Sequence, residues 1–142
     1  MDIFDTPTGN RALQRFKAEQ VIWLTTVTAS GKPQPRPVWF VWDGQSVWIY
    51  TEHASRKIAH LAANPHASLH FNSDPAGDDI QVLLGDAVID PTAPPVRDFP
   101  AYIEKYAEGI QGIDMTVESY SARFDTALRV TIERIRGLDP LV

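Results

Sequence analysis

Three prolines on alternate positions, Pro33, Pro35 and Pro37, precede an apolar run that ends at Trp42. Residues 35–42 have the composition of a β-strand, in which the backbone N–H groups of alternate residues lie along the same edge. Because proline has no N–H, that edge cannot donate ladder hydrogen bonds at these positions. The segment is therefore predicted to be an edge strand. Such an edge resists aggregation, and it also leaves the backbone of residues 38–40 free to face a flat heteroaromatic ring.

Five further segments have the composition or the alternation of β-strands. With the proline-rich segment, the predicted strands cover residues 21–29, 35–42, 47–51, 66–72, 80–90 and 127–136. Helices are predicted after caps at Thr8 and Ser55, and two short helices are predicted within residues 96–120, divided near residues 109–112. Six mostly antiparallel strands with late helices indicate an α+β protein built on a closed or nearly closed barrel.

Composition limits the class of protein. The chain has 142 residues, no cysteine and a formal net charge of -5. This length suits one core, so residues 1–142 are predicted to form a single domain. The absence of cysteine excludes disulfides, thiolate metal sites and cysteine nucleophiles. The acidic balance argues against a nucleic-acid partner, and the lack of a signal-like start or a long apolar run predicts a cytoplasmic protein with no membrane partner.

Two adjacent cations, Arg56 and Lys57, fall in the first turn of the helix that Ser55 caps. The positive end of the helix dipole disfavours cations there unless an anion is bound. With a phosphate present, the free N–H groups, the hydroxyls of Thr51 and Ser55 and both cations act together. The alternative is that both cations simply face solvent. Lys32 and Arg36 extend the local positive charge, and the four basic residues predict a site for a small phosphorylated ligand.

The four histidines were considered as metal ligands. His66 and His70 are predicted on one strand, where residues four apart lie roughly 13 Å apart, too far to share an ion. His53 is predicted in a loop beside the phosphate site and His60 on a helix surface. No metal site is therefore expected, and no residue stands out as a general acid.

Five short motifs follow one another in the first two thirds of the chain. They are Arg36-Pro-Val-Trp-Phe-Val41, Tyr50-Thr51, Ser55-Arg56-Lys57, Asn64-Pro65 and Gln81-Val-Leu-Leu-Gly85. In this order and spacing they resemble the pyridoxamine 5'-phosphate oxidase-like flavin-binding split barrels over about residues 23–87. The resemblance implies a six-stranded antiparallel split β-barrel with peripheral helices. It also implies a homodimer with two cofactor sites at the subunit interface.

The same resemblance implies roles for individual residues. Those that would hold the cofactor phosphate are Arg36, Thr51, Arg56 and Lys57. Those that would line the ring, largely through backbone contacts, are Pro37, Val38, Trp39, Phe40 and Tyr50. Gln81 would contact the ring region. Among the four tryptophans, Trp39 is the one expected beside the cofactor.

The motif Gly31-Lys-Pro, together with Pro37-Val-Trp-Phe40, resembles the actinobacterial-type branch that uses the deazaflavin coenzyme F420. That cofactor carries a phosphate and an anionic glutamyl tail, which Lys32 and Arg36 could meet. The resemblance implies a reductase that transfers hydride to an unsaturated, conjugated acceptor, with the cofactor supplying the chemistry. Two alternatives stay open: an FMN-dependent oxidoreductase of the same fold, and a non-catalytic binding protein for a flavin, deazaflavin or haem.

One departure from the resembled family bears on substrate. Members that form pyridoxal phosphate carry a C-terminal Trp and an Arg-x-His signature, and residues 133–142 lack both. Oxidation of pyridoxamine phosphate is therefore not expected.

Overall fold

The computed structural model describes residues 2–137, so the last five residues of the C-terminal segment considered above lie outside the described part. In chain order the elements are α1 (Pro7–Ala18), β1 (Ile22–Val27), β2 (Pro33–Val38), β3 (Val41–Trp42), β4 (Val47–Thr51), α2 (Arg56–Ala63), β5 (His66–His70), β6 (Gln81–Ile89), a 3-10 turn (Val96–Asp98), α3 (Pro100–Gly112), α4 (Val117–Arg123) and β7 (Thr126–Gly137). The predicted α+β class is confirmed. None of the helices in this part of the chain is long and apolar enough to cross a bilayer.

The strands form one antiparallel sheet in the order β2-β1-β5-β6-β7-β4-β3. The two end strands, β2 and β3, are consecutive in the chain, and only Trp39 and Phe40 separate them. Three Cα–Cα steps span at most about 11 Å, so the two ends of the sheet must lie side by side. The sheet therefore curls into a split barrel, as predicted, and the proline-rich strand is an edge strand.

The strand count is seven rather than the predicted six, because the segment predicted as one strand over residues 35–42 is interrupted. At the interruption, the Phe40 amide donates to the Tyr106 hydroxyl (2.8 Å), and the Phe40 carbonyl accepts from Lys105 Nζ (3.0 Å). These side chains from α3 take the place of ladder partners. The tertiary contacts that divide the strand come from more than 60 residues away in sequence, so local composition carried no sign of them.

Two hydrophobic clusters lie on opposite sides of β3, β4 and β7. The barrel interior holds Phe40, Ile49 and Leu128, with α1 closing one end through Phe16. Their chain neighbours face outward into a second cluster under α3 and α4, whose members on the three strands are Val41, Tyr50 and Ala127. Both faces of these three strands are therefore covered. As a result, α3 and α4 pack beside Trp39, where the chain passes from β2 to β3.

Two helix boundaries differ from those predicted. The N-cap of α1 is Thr6, not Thr8; its hydroxyl accepts from the Gly9 amide at 2.9 Å, and Pro7 takes the first helical position, where proline is favoured. The two late helices exist, but Gly109 and Gly112 lie inside α3. The break falls after Gly112, before the Thr116 cap of α4.

Candidate functional site

Two neighbouring cavities lie along the start of α2 and the end of β2, and together they are called the groove. The aromatic cavity, of about 250 Å³, is lined by Pro37, Val38, Trp39, Tyr50, Thr51, Lys57, Ile113, Tyr120 and Phe124. The cationic cavity, of about 470 Å³, is lined by Thr26, Gln34, Arg36, Pro37, Ala54, Ser55, Arg56, Lys57 and His60. Because Pro37 and Lys57 line both cavities, the two cavities are adjacent.

The cationic cavity brings β2 against the first turn of α2. Ser55 caps α2, and its hydroxyl lies 3.4 Å from both the amide and the ammonium of Lys57. Burial lowers the pKa of Lys57, and the nearby Arg36 lowers it further, whereas Glu52 opposes the shift. The Glu52 carboxylate is itself bonded to Arg123 at 2.8 Å. The free site therefore holds under-neutralised positive charge, which an anion would stabilise.

Aromatic side chains pack against one another beside the aromatic cavity. Trp39 stacks on Tyr106 with ring centroids 4.6 Å apart and planes 2° from parallel, and on Tyr120 at 5.5 Å and 15°. The Tyr120 hydroxyl lies 2.7 Å from that of Tyr102. Ile113 stands at the mouth, 49% exposed. The cavity is therefore lined by a packed group of aromatic rings, whose apolar surfaces suit an aromatic ligand.

Tyr50 lies at the inner end of the aromatic cavity. Its hydroxyl donates to the Pro94 carbonyl at 2.6 Å. Burial, with a smaller contribution from Asp90, raises the pKa of Tyr50 to about 12. The phenol is therefore neutral at physiological pH, and its proton is used in the hydrogen bond to Pro94. Tyr50 contributes a surface to this cavity, not an acid.

Most of the residues predicted for the site do meet in the groove. They are Arg36, Pro37, Val38, Trp39, Tyr50, Thr51, Ser55, Arg56 and Lys57. Trp39, singled out among the tryptophans, is the one that lines the aromatic cavity. Their assignment to phosphate or ring remains a prediction.

Three predicted residues lie elsewhere. Lys32 is exposed at the turn before β2, where its amide donates to Thr28 Oγ1 at 3.0 Å. Phe40 is fully buried in the barrel, and its backbone groups are bonded to α3, so the expectation of a free backbone there was wrong. The buried Gln81 side chain accepts from Arg15 (2.9 Å). Within one chain the structure does not bring Gln81 to the groove.

Several lining residues were missed. His60, predicted on a helix surface, is half-buried and lines the cationic cavity. Its position three residues after Lys57 and four after Arg56 places it on their face of α2, and this spacing could have found it. Gln34 lies two residues before Arg36 in the same strand, so both side chains point to the same face. Ala54 directly precedes Ser55, and this adjacency could have found it. Other missed residues have no such signal, because they join the groove only through tertiary packing: Thr26, Ile113, Tyr120 and Phe124.

The remaining histidines lie outside the groove. His53 is an exposed loop residue whose Nδ1 lies 2.8 Å from Asp125, so the loop placement is confirmed. His66 and His70 both lie on β5, as predicted. The His66 ring contacts Asp86 at 2.6 Å, while the His70 ring lies parallel to the indole of Trp23.

The antiparallel sheet is curled, and two residues join its end strands. The groove lies beside these strands. This arrangement defines a split β-barrel protein. The chain belongs to the pyridoxamine 5'-phosphate oxidase family, because the model of that family matches residues 10–139. A pyridoxine/pyridoxamine 5'-phosphate oxidase from Sodalis glossinidius is 36% identical over 72 residues. That alignment covers 50% of this chain but only 33% of the oxidase.

Solved structures share the fold at low sequence identity. A haem-binding protein from Mycobacterium smegmatis superposes with a TM-score of 0.70 at 20% identity, covering 92% of this chain and 53% of that one. An F420 reductase superposes with a TM-score of 0.59 at 22% identity, covering 82% and 89% of the two chains. A protein described as a possible pyridoxamine 5'-phosphate oxidase from Listeria innocua gives 0.67 at 20% identity, with 89% and 94% covered. At these identities the likeness establishes the fold alone.

Proposed function

We propose that this protein is an oxidoreductase that binds coenzyme F420 and belongs to the actinobacterial-type F420-dependent branch of its family. The observation that carries the proposal is the adjacency of the two cavities. Aromatic side chains line one cavity, the cations Arg36, Arg56 and Lys57 line the other, and Pro37 and Lys57 line both. A ligand with a planar ring, a short spacer and a phosphate has the matching shape and charge.

Different residues of the chain would bind the phosphate and the ring of the cofactor. Arg36, Arg56 and Lys57 bind the phosphate through charge-assisted hydrogen bonds, and the free N–H groups at the start of α2 add to them. Trp39 and Tyr120 face the ring and exclude water from it. The bound deazaflavin supplies the hydride transfer. The chain supplies position, and the open mouth at Ile113 leaves a path for an unsaturated acceptor.

The size of the cationic cavity favours F420 over FMN. A phosphate group has five heavy atoms and fills on the order of 150 Å³ at the volume that water occupies in the liquid. The cavity holds about 470 Å³, and its lining continues past the phosphate-facing residues to Gln34 and His60. FMN ends at its phosphate. F420 continues into an anionic tail, which would use the additional space and charge.

We also propose a homodimer. Residues on the outer face of β1, β5 and β6 remain partly exposed, among them Trp23, Thr25, Ser68 and Leu84, whereas α3 and α4 cover the outer face of β3, β4 and β7. A second copy seated on the uncovered face would bury these side chains and bring its own residues near the groove. Light scattering at micromolar concentration should give the dimer mass. A monomer that still binds cofactor would contradict an interface site.

Purified protein separates the candidate functions. F420 fluorescence should be quenched saturably on titration, and the reduced complex should transfer hydride to a conjugated enone. A yellow preparation that binds FMN but not F420 would show that the cofactor is a flavin and not a deazaflavin. Saturable binding of either cofactor with no reduction of a panel of acceptors would instead support a non-catalytic binding protein.

A further inference from the structure

We propose that His60 is a proton-dependent ligand for a second anionic group of the cofactor, beyond the phosphate held at Ser55, Arg56 and Lys57. This inference rests on the proposed function. It assigns the far part of the cationic cavity to a group that stays anionic between about pH 5 and 8, such as a carboxylate.

The position of the His60 ring is fixed by a buried hydroxyl. Thr26 is 1% exposed, and its Oγ1 lies 3.0 Å from His60 Nδ1. Both residues line the cationic cavity. Within residues 2–137 the other ring nitrogen, Nε2, forms no hydrogen bond to protein. The ring is therefore held at one nitrogen, and the other is available to a ligand.

Thr26 can serve both protonation states of the ring. A neutral imidazole accepts the Thr26 hydroxyl proton at Nδ1 and carries its own proton on Nε2. A protonated imidazole donates from Nδ1 to the same oxygen and keeps an Nε2–H donor that now bears positive charge. Histidine side chains change between these forms between about pH 5 and 8. Proton uptake thus strengthens a donor without requiring the ring to turn.

The surroundings couple that proton to an anion. The groups that face His60 are Gln34 and Arg36 from β2, Thr26 from β1, and Arg56 and Lys57 from α2. In the described part of the chain no carboxylate lines this cavity, and Glu52, the acid that acts on Lys57, is paired with Arg123. An anion bound beside His60 would favour the protonated imidazole, so the anion and the proton should bind together.

The test is the affinity for F420 across about pH 5.5 to about pH 8, measured by ring fluorescence. The phosphodiester and carboxylates of F420 keep their charge over this range, unlike a phosphate monoester, which titrates near pH 6. For the wild type we expect roughly fivefold to tenfold tighter binding at the lower pH, because protonation turns one neutral hydrogen bond into a charge-assisted one. His60→Gln should bind weakly and almost independently of pH. His60→Arg should bind tightly and independently of pH.

Two controls make the result decisive. His53→Gln removes a loop histidine outside the groove and should retain the wild-type pH profile. The deazaflavin ring with its ribityl chain, but without phosphate and tail, should bind wild type and His60→Gln alike. If F420 binds in a Lys57-dependent way but His60→Gln leaves the pH profile unchanged, the inference is overturned and the proposed function survives. If F420 fails to bind at every pH, both are overturned.

Discussion

Tyr106 holds two consecutive residues in different ways: its ring stacks on Trp39, with centroids 4.6 Å apart, and its hydroxyl accepts the amide proton of Phe40 at 2.8 Å. Trp39 lines the groove, and Phe40 fills the barrel. One side chain of α3 therefore fixes a wall of the site and the closure of the barrel together.

The contact between α3 and Trp39 can be tested at Gly109. A Cβ at this position would lie 3.1 Å from the Trp39 ring, tighter than an ordinary contact. Gly109→Ala should therefore push the indole towards the cavity and weaken cofactor binding by about 1 kcal/mol, the lower end of the cost of overpacking. Fluorescence titration gives the affinity.

Gly112→Ala is the matched control, because it lies in the same helix and a Cβ there meets nothing within 4 Å. It should raise the free energy of unfolding by about 0.5–1 kcal/mol and leave cofactor affinity unchanged. Equal affinities in the two variants would mean that Trp39 does not form a wall for the ring.

Removing the Tyr106 hydroxyl should destabilise the strand break. Tyr106→Phe keeps the ring stacked on Trp39 but leaves the buried Phe40 amide without its acceptor, at a cost of about 1–3 kcal/mol. Urea unfolding measures the loss. Lys105, which also bonds to Phe40, does not replace the acceptor, since it only donates. A variant as stable as the wild type would show that water or a shifted backbone satisfies the amide.

Cofactor affinity should depend on the cations that line the groove and not on every basic residue near it. Lys57→Ala and Arg56→Ala should each weaken cofactor binding by about 1.5–3 kcal/mol, the range for hydrogen bonds to charged groups. Lys32→Ala removes an exposed cation outside both cavities. Its effect should be small and should disappear in salt. Calorimetric titration compares the three, and unchanged affinity in the first two would remove the phosphate assignment.

Stability should rise on mild alkalinisation because of Lys105. Burial lowers the pKa of Lys105 from 10.5 to about 8. Between these values the unfolded chain binds more protons than the folded protein, so the free energy of unfolding increases with pH. Lys57 acts in the same direction. Tyrosines with raised pKa values, such as Tyr50, oppose the rise only above about pH 10.

Urea unfolding between about pH 8 and about pH 10 therefore isolates the lysine effect. Lys105→Met should flatten the rise, because Lys57 alone remains to produce it. Parallel curves for Lys105→Met and wild type would show that the ammonium is not desolvated in the folded protein.

Some of the groove residues can be predicted from their near neighbours in the sequence, whereas Tyr50 is implied only by the resemblance to the family. Ser55, Arg56 and Lys57 share one helical turn, and a cation pair at a helix start is physically unusual. Arg36 lies on the alternate-proline strand, whose edge position follows from the missing N–H groups. Such signals depend on neighbours within a few residues, and they survive without knowledge of the fold.

The parts that escaped prediction depend on contacts across the chain. Tyr120 and Phe124 reach the groove only because α4 packs under β4 and β7. The division of the proline strand depends on Tyr106, and the placement of Gln81 depends on Arg15 of α1. Composition and spacing describe what a segment can form. They do not show which distant side chain will take its hydrogen bonds.

The repulsion between Arg36 and Lys57 has a consequence for the stability of the protein. A ligand that binds only the folded form stabilises it in proportion to the logarithm of ligand concentration. Here an anionic ligand would also reduce the repulsion between Arg36 and Lys57. An anion bound between these two cations would therefore raise the free energy of unfolding through its charge as well as through its concentration.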